Sequence, residues 1–208
     1  MSELPVSELL TPDVCIVGAG AAGLVVAAVA AQLGLEVVLV ERGTMGGDCL
    51  NHGCVPSKAL IAAARMAQAQ RDGAPFGIAG VEPRVDFARV MDHVAETIAA
   101  LAPHDSAERF EGLGVRVVPA EARFVGPTEL QAGGLRIRAR RIVLATGSRP
   151  AVPAVPGLAD VPYLTNETLF ANRTLPSHLV VIGGGPIGLE MAQAHRRLGA
   201  AVTVLEAG

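Results

Sequence analysis

The stretch that decides the fold is Gly18–Glu41, which reads GAGAAGLVVAAVAAQLGLEVVLVE. It opens with a G-x-G-x-x-G pattern and, after a long run of mostly apolar residues, ends in an acidic residue. The same pattern occurs again at Gly183–Glu206, GGGPIGLEMAQAHRRLGAAVTVLE, and the two copies align without a gap. This self-similarity indicates that the chain contains one supersecondary unit twice.

Each copy has the sequence context that a dinucleotide-binding unit requires. An apolar strand precedes each glycine pattern, at Val14–Val17 and at Leu179–Ile182, and a later glycine, Gly34 or Gly199, leads into a second strand. The glycines let the turn close and let the backbone approach a pyrophosphate, while the helix that follows supplies unpaired N–H groups. One such pattern alone is weak evidence, whereas two in full context predict two bound dinucleotides.

The uncharged stretch Val14–Ala31 has the length of a membrane-spanning helix. Its glycines favour the nucleotide-binding turn instead. The corresponding part of the second copy contains Glu190 and Arg196, and a membrane-spanning helix would not tolerate these charges.

Two cysteines follow the first copy at short range, in Gly46–Lys58, GGDCLNHGCVPSK. A dithiol beside a dinucleotide site indicates two-electron transfer between a bound cofactor and a disulfide. A disulfide needs Cα atoms within about 7 Å, so Cys49 and Cys54 can bridge only where a helix start is distorted. The intervening Asn51–Gly53 and the following Pro56 permit such a distortion.

Two other uses of these thiols compete with redox chemistry. A zinc site from Cys49, His52 and Cys54 lacks an evident fourth ligand and the usual spacing. A passive disulfide conflicts with the N-terminal sequence MSELPVSELLTPD, which has early acidic residues and no basic segment typical of a signal peptide. We therefore favour redox use in a reducing, cytoplasmic compartment.

Composition narrows the functional class. The 208 residues are 50% apolar and include 24 glycines, which suits close helix-on-sheet packing in an α/β protein. The net charge of −3 gives no reason to expect binding to nucleic acid.

The dithiol segment, with its PSK ending, resembles that of the pyridine nucleotide–disulfide oxidoreductases, and most closely that of their lipoamide and mercuric branches. The resemblance implies that reduced nicotinamide passes a hydride to FAD and that the flavin then reduces the Cys49–Cys54 disulfide. Cys54 is then the thiolate next to the flavin, and Cys49 is the thiol that meets the substrate. Lys58 lies near the flavin, and Glu190 is its partner from the second copy.

The resemblance also implies the cofactor sites. Two segments are similar to family segments that contact FAD. They are ATGSRP, at the end of the strand Arg141–Gly147, and PAEARF at Pro119–Phe124. The implied FAD site is Gly18, Gly20, Ala22, Gly23, Glu41, Arg42, Gly47, Asp48, Cys49, Cys54, Lys58, Ala122, Thr146 and Gly147. The implied nicotinamide site is Gly183, Gly185, Ile187, Gly188 and Glu206. Because a carboxylate suits a free ribose 2′-hydroxyl better than a 2′-phosphate, Glu206 favours NAD over NADP.

The expected fold is α/β. A Rossmann-like FAD-binding domain, with a parallel sheet, helices and a small antiparallel β element, is followed by the start of a second Rossmann-like NAD(P)-binding domain. The predicted ranges are a tail at 1–12, the FAD domain at 13–149, a linker at 150–177 and the truncated second domain at 178–208. Family members are more than twice as long, so we interpret the chain as an N-terminal fragment, inactive alone, of a homodimeric enzyme.

Four local elements are predicted between the two copies. They are an alanine-rich helix at Ala59–Gln70 started by Pro56, an amphipathic helix N-capped by Asp86, a strand at Val115–Val118, and a hairpin around Gly133–Gly134.

Three functions remain in competition. The first is a dithiol or disulfide oxidoreductase of the lipoamide or mercuric type acting on a small molecule or metal ion. The second is an enzyme of the same fold that reduces a quinone or a metal ion, and the third is a nucleotide-binding module without turnover. The cysteine pair argues against the third. Asp48 replaces a threonine common at that position in the family, which weakens assignment to the lipoamide enzymes.

Overall fold

The chain divides into two units, each built from two separate stretches of sequence. The computed structural model describes residues 8–207. The first unit holds the described residues up to Asn51 together with Leu101–Ala151, and the second holds His52–Ala100 together with the described residues from Val152 onwards. The domain ranges predicted from the sequence remain a prediction.

A four-stranded parallel sheet forms the centre of the first unit. Its strands are β2 (Val14–Val17), β3 (Val37–Glu41), β4 (Arg116–Pro119) and β8 (Arg141–Leu144). Their order in the sheet is β4-β3-β2-β8. The helix α1 (Ala21–Gln32) connects β2 to β3, and α2 (Gly47–Asn51) follows β3.

The two faces of this sheet are covered differently because successive side chains of a strand point to opposite sides. Ile16 of β2 packs in one core with Leu24 of α1 and Phe110 of α5 (Ala107–Gly112). The adjacent Cys15 packs in another core with Leu130 and Ile137. Helices therefore cover one face, and a second sheet covers the other.

The second sheet of this unit contains β1 (Glu8–Leu10), β5 (Ala122–Gly126), β6 (Glu129–Ala132) and β7 (Leu135–Arg138). Their order in the sheet is β1-β7-β6-β5. Strands β5, β6 and β7 are antiparallel, and β6 turns into β7 through Gly133, whose φ of +58° suits glycine. The predicted hairpin and antiparallel β element are confirmed.

The second unit is built on a pair of parallel strands and three longer helices. Strands β9 (His178–Ile182) and β10 (Ala201–Leu205) are joined by α7 (Pro186–Leu198). The other helices are α3 (Cys54–Arg71), α4 (Phe87–Leu101) and the short α6 (Asn166–Leu169). One core joins Leu60 and Ala64 of α3, Met91 of α4, and Met191 and Leu198 of α7.

The predicted α/β class with two β-α-β units is confirmed. Asp86 caps α4, because its Oδ1 accepts the backbone N–H of Arg89 at 3.2 Å. Helix α3 begins at Cys54 rather than at Ala59, because Pro56 occupies its third position, where the missing N–H has no helical partner to lose. The strand expected at Arg141–Gly147 ends at Leu144, where the chain reaches the first glycine turn. Among the described residues, no helix is both long and apolar enough to cross a bilayer.

A buried histidine lies in the core of the second unit. The side chain of His195 is 1% exposed, its Nδ1 donates a hydrogen bond to the Met191 carbonyl at 2.8 Å, and its ring centroid lies 5.7 Å from that of Phe87. Burial lowers the pKa of His195 below its ordinary value of 6.5, and the Met191 carbonyl opposes this only in part. At neutral pH the native state therefore holds the neutral imidazole.

The buried imidazole predicts a pH dependence of stability. Below about pH 6.5 the imidazole of His195 binds a proton in the unfolded chain but stays neutral in the native state. The free energy of unfolding should therefore fall by up to about 1.4 kcal/mol per pH unit until the native pKa is reached. Chemical denaturation between pH 7 and pH 5 measures this slope. His195→Leu should flatten it, and an unchanged slope in this variant would contradict the assignment.

Candidate nucleotide and dithiol site

The first glycine turn is closed by direct backbone contacts. A Cβ at Gly23 would lie 1.8 Å from the carbonyl oxygen of Gly18, and a Cβ at Gly18 would lie 2.1 Å from that of Ala145. Gly18 also has a φ of +107°, which side chains rarely adopt. The exit of β8 at Ala145–Thr146 therefore touches the turn, and the structure brings the predicted residue Thr146 to the predicted residue Gly18.

Glu41 lies at the end of β3 and points back to this turn. Its Oε2 accepts the backbone N–H of Ala19 at 2.6 Å, and its Oε1 accepts that of Gly43 at 2.7 Å. The carboxylate is thus fixed beside the N-terminus of α1. In the described part of the chain the N-cap residue of this helix, Gly20, provides no side-chain acceptor for its first N–H groups.

The segment that leads to the cysteines is attached to the same turn. The Gly46 N–H donates to the Ala19 carbonyl at 2.9 Å, and Gly46 forms a parallel bridge with Gly20. A Cβ at Gly47 would lie 2.6 Å from the Cα of Gly20. Helix α2, which carries Cys49, therefore starts in van der Waals contact with the dinucleotide turn.

Asn51 closes α2 on itself. Its side-chain amide donates to the carbonyls of Met45 at 3.1 Å and Gly47 at 2.9 Å. These bonds fix the five-residue helix at both ends, which a helix this short requires because its own backbone bonds are few.

The three cysteines differ in exposure. Cys49 is half-buried on α2, Cys54 is exposed as the first residue of α3, and Cys15 is buried in β2. Burial raises the pKa of the Cys15 thiol to about 11, so this thiol is inert. Residues 8–207 contain no disulfide, so the predicted Cys49–Cys54 bond is not present in this structure. Nor does this range contain a group of three or more His, Cys, Asp or Glu residues close enough to hold a metal.

The first turn of α3 is held by a buried hydroxyl. Ser57 is 8% exposed, its backbone N–H donates to the Gly53 carbonyl at 2.9 Å, and its Oγ donates to the Cys54 carbonyl at 3.3 Å. These bonds fix the backbone from which the Cys54 thiol projects.

The remaining predicted flavin residues of the first unit lie near the surface. Arg42 is exposed, and its Nη1 lies 3.7 Å from the Glu121 Oε1 in an ion pair. Gly147 has a φ of +72° and open space around it, and Ala122 is the half-buried first residue of β5. Ala22 and Asp48 are exposed on the first turns of α1 and α2.

The second glycine turn repeats the first within the second unit. A Cβ at Gly188 would lie 2.0 Å from the carbonyl oxygen of Gly183, whose φ is +112°. Gly185 N-caps α7, and Ile187 is exposed beside it. Glu206 accepts the backbone N–H groups of Gly184 and Ala207. Four of the five predicted nicotinamide residues thus lie at one turn, and the fifth, Glu206, is bonded to it through Gly184.

The structure contains the predicted contact between Lys58 and Glu190, which the sequence analysis expected between two domains. The Lys58 Nζ lies 2.6 Å from the Glu190 Oε1, and both residues belong to the second unit. The pair joins the N-terminal parts of α3 and α7. Because both side chains are substantially exposed, solvent screens the pair and its contribution to stability is small.

The sequence analysis missed the roles of three structural residues, two at the site and one in the core of the second unit. Asn51 and Ser57 carry no pattern of their own, because their role is to bond to nearby carbonyls. His195 had a readable signal, since it lies four positions after Met191 on the buried face of α7 that also holds Ala194 and Leu198.

The fold therefore combines two glycine turns of the dinucleotide-binding type with a segment that carries two cysteines and is attached to the first turn. The chain matches the pyridine nucleotide-disulphide oxidoreductase family over residues 12–208 and belongs to this family. The family implies FAD and a pyridine nucleotide as cofactors.

Individual relatives agree with this assignment. The chain is 39% identical to a mercuric reductase of Streptomyces lividans over 198 residues, which cover 92% of this chain and 42% of that protein. It is 38% identical to a mercuric reductase of Shigella flexneri over 204 residues, covering 92% and 35%. The structure is similar to that of the Cu(II) complex of the HOCl-induced flavoprotein disulfide reductase RclA from Escherichia coli, with a TM-score of 0.79, 29% identity, and coverage of 94% and 42%. The chain therefore spans less than half the length of these proteins.

Proposed function

We propose that this chain forms the flavin- and dithiol-bearing part of an FAD-dependent NAD(P)H:disulfide oxidoreductase. The observation that carries the proposal is the attachment of the dithiol segment to the first nucleotide turn, through the Gly46–Ala19 hydrogen bond and the Gly20–Gly46 bridge. A cofactor with its pyrophosphate on this turn is then in reach of the helix that carries Cys49.

The first turn fits a dinucleotide by its own geometry. Its glycines leave no room for a Cβ at Gly18 or Gly23, so the backbone N–H groups at the start of α1 stay accessible to a pyrophosphate. Glu41 is already fixed beside them and can exchange a backbone partner for a ribose hydroxyl. The FAD site we propose is Gly18, Gly20, Ala22, Gly23, Glu41, Arg42, Gly47, Asp48, Cys49, Cys54, Lys58, Ala122, Thr146 and Gly147.

The second turn fits the nicotinamide nucleotide for the same reasons. The proposed contacts are Gly183, Gly185, Ile187, Gly188 and Glu206. The Glu206 carboxylate supports NAD over NADP, because it would repel a 2′-phosphate.

When bound, FAD supplies the two-electron chemistry that couples oxidation of the reduced nicotinamide to reduction of a disulfide. Two electrons and two protons convert the Cys49–Cys54 disulfide into two thiols. We assign Cys54 to the position beside the flavin and Cys49 to the exchange with substrate. Lys58, oriented by Glu190 at 2.6 Å, places a positive charge where reduction of the cofactor adds negative charge.

The substrate we propose is a small disulfide or dithiol, or a metal ion. The metal ion is supported by the relatives named mercuric reductase and by the neighbour solved as a Cu(II) complex. A homodimer in the cytoplasm is part of the same proposal, by resemblance to the family.

The proposal is tested by anaerobic titration of the FAD-loaded protein that carries this chain. We expect one equivalent of NADH to make two thiols reactive per flavin and to produce a long-wavelength absorbance band from a thiolate beside the flavin. Cys15 should stay unreactive because it is buried. Reduction of the flavin without the appearance of two thiols would overturn the assignment.

A further inference from the structure

The second unit contains an open cavity that takes no part in the proposed function. Its volume is about 690 Å³, and small-molecule sites have volumes of about 300–1,000 Å³. The cavity is lined by the C-terminal part of α3, by a loop of residues 73–82 (loop 73–82), and by Arg197 near the end of α7. None of its lining residues is among those proposed to hold FAD or the nicotinamide nucleotide.

Loop 73–82 is fixed against the end of α3. The Val81 N–H donates to the Gln70 carbonyl at 2.8 Å. A Cβ at Gly80 would lie 2.5 Å from the carbonyl oxygen of Arg71, so the two backbones are in direct contact. The wall of the cavity is therefore formed before a ligand arrives, which lowers the entropic cost of binding.

Arg71 joins the three walls. Its guanidinium donates to both carboxylate oxygens of Glu82, with the shortest bond at 2.6 Å, and its Nη1 donates to the Arg197 carbonyl at 2.7 Å. The hydrogen bond from Arg71 holds the pKa of Glu82 below its usual range, and the charge of Arg196 adds to this effect. The negative charge of Glu82 is therefore already matched within this network.

Two arginines line the cavity without an acceptor of their own. Among the described residues, the guanidinium groups of Arg65 and Arg197 have no hydrogen-bond or ion-pair partner. The carboxylate that lines the same cavity, Asp72, accepts a hydrogen bond at its Oδ1 from the Gln68 Nε2 at 2.9 Å. The charged groups of the lining are thus two unpaired cations and one carboxylate, which favours an anionic ligand.

Loop 73–82 adds an apolar surface to the cavity. Phe76, Ile78 and Val81 line it and are 82%, 65% and 62% exposed. Water in contact with these side chains is released when an apolar group covers them, which favours binding. The exposed ring of Phe76 can pack against another ring in an offset-stacked or edge-to-face arrangement.

We propose that this cavity is a binding site for a small aromatic carboxylate. The carboxylate accepts hydrogen bonds from Arg65 and Arg197, whose planar guanidinium groups match its two oxygens. The aromatic body covers Phe76 and its apolar neighbours on loop 73–82. This site goes beyond the proposed function, because neither the dithiol nor either glycine turn contributes to it.

The test is isothermal titration calorimetry of the FAD-loaded protein that carries this chain. The probes are naphthylacetate and naphthylacetamide, which share one ring system and differ in charge. We expect naphthylacetate to bind at one site per chain, and naphthylacetamide to bind about tenfold more weakly because it lacks the charge-assisted hydrogen bonds. The ratio of the two affinities isolates the contribution of the charge.

Three variants assign the two parts of the ligand to their contacts. Arg65→Gln and Arg197→Gln should each reduce the affinity ratio by at least about threefold while leaving the affinity for naphthylacetamide unchanged. Phe76→Ala should weaken both probes by about threefold or more and preserve the ratio. These residues are suited to substitution, because the two guanidinium groups have no partners and Phe76 is largely exposed.

The matched control is Arg84→Gln, which removes the same charge from an exposed residue of the second unit that does not line the cavity. It should change neither affinity. Absence of naphthylacetate binding up to about 1 mM, equal affinities for the two probes, or an equal loss of the ratio in Arg84→Gln would each overturn the proposal. The measurement needs no turnover, so its outcome is separate from that of the proposed function.

Discussion

Replacing Cys54 with serine is expected to abolish NADH-driven disulfide reduction, with a loss of at least about a thousandfold. The hydroxyl cannot form the disulfide that carries two electrons away from the flavin. Cys49→Ser should cause an equal loss for the same reason. Steady-state NADH oxidation with a small uncharged disulfide measures both.

The two cysteine variants should nevertheless differ spectroscopically. In our assignment Cys54 lies beside the flavin, so Cys49→Ser keeps a thiolate there and retains the long-wavelength absorbance, whereas Cys54→Ser loses it. A band that survives in Cys54→Ser but not in Cys49→Ser would reverse the two roles. Both variants should still allow NADH to reduce the flavin, because that step precedes the disulfide.

Cys15→Ala is the matched control for the loss of a thiol. Cys15 is buried in β2, and the pKa of its thiol is raised to about 11 by burial. Its removal should leave the rate of disulfide reduction unchanged. A large loss of turnover in this variant would mean that the thiol-dependent step had been assigned to the wrong cysteines.

The turns were predictable from the sequence because their residue types follow from local geometry. Gly23 and Gly188 lie where a Cβ would collide with the carbonyl oxygen of the residue five positions earlier, and no other residue type fits such a position. The acidic ends at Glu41 and Glu206 follow at a fixed distance along the same unit. A local pattern was therefore sufficient to predict both β-α-β units.

Other features depended on long-range packing and could not be derived in this way. The amphipathic stripe of α4 predicts a buried face but not that α3 and α7 cover it. The contact of Gly46 with Ala19 involves backbone atoms only, so no side-chain pattern marks it. The Lys58–Glu190 contact was reached only through resemblance to the family, because nothing in the spacing of two residues so far apart indicates proximity.

Substituting Gly23 is expected to remove the flavin site. In Gly23→Ala the new Cβ would lie 1.8 Å from the Gly18 carbonyl oxygen and 3.3 Å from the Ile16 side chain. Backbone on one side and buried core on the other cannot both move, so the turn must open. We expect FAD affinity to fall by at least about a hundredfold and the free energy of unfolding to fall by about 2–4 kcal/mol. Flavin content after purification and denaturant unfolding measure the two effects.

Two further glycine variants test whether the loss of FAD is specific to the first turn. Gly188→Ala makes the equivalent clash in the second turn, 2.0 Å from the Gly183 carbonyl oxygen, so it should weaken binding of the nicotinamide nucleotide while FAD is retained. Gly112→Ala, at the end of α5, meets no atom within 4 Å and should be neutral or slightly stabilising, because alanine favours a helix over glycine. If Gly23→Ala and Gly188→Ala lost the same cofactor, the assignment of one dinucleotide to each turn would be wrong. If Gly112→Ala also lost flavin, the loss would reflect general instability rather than closure of the first turn.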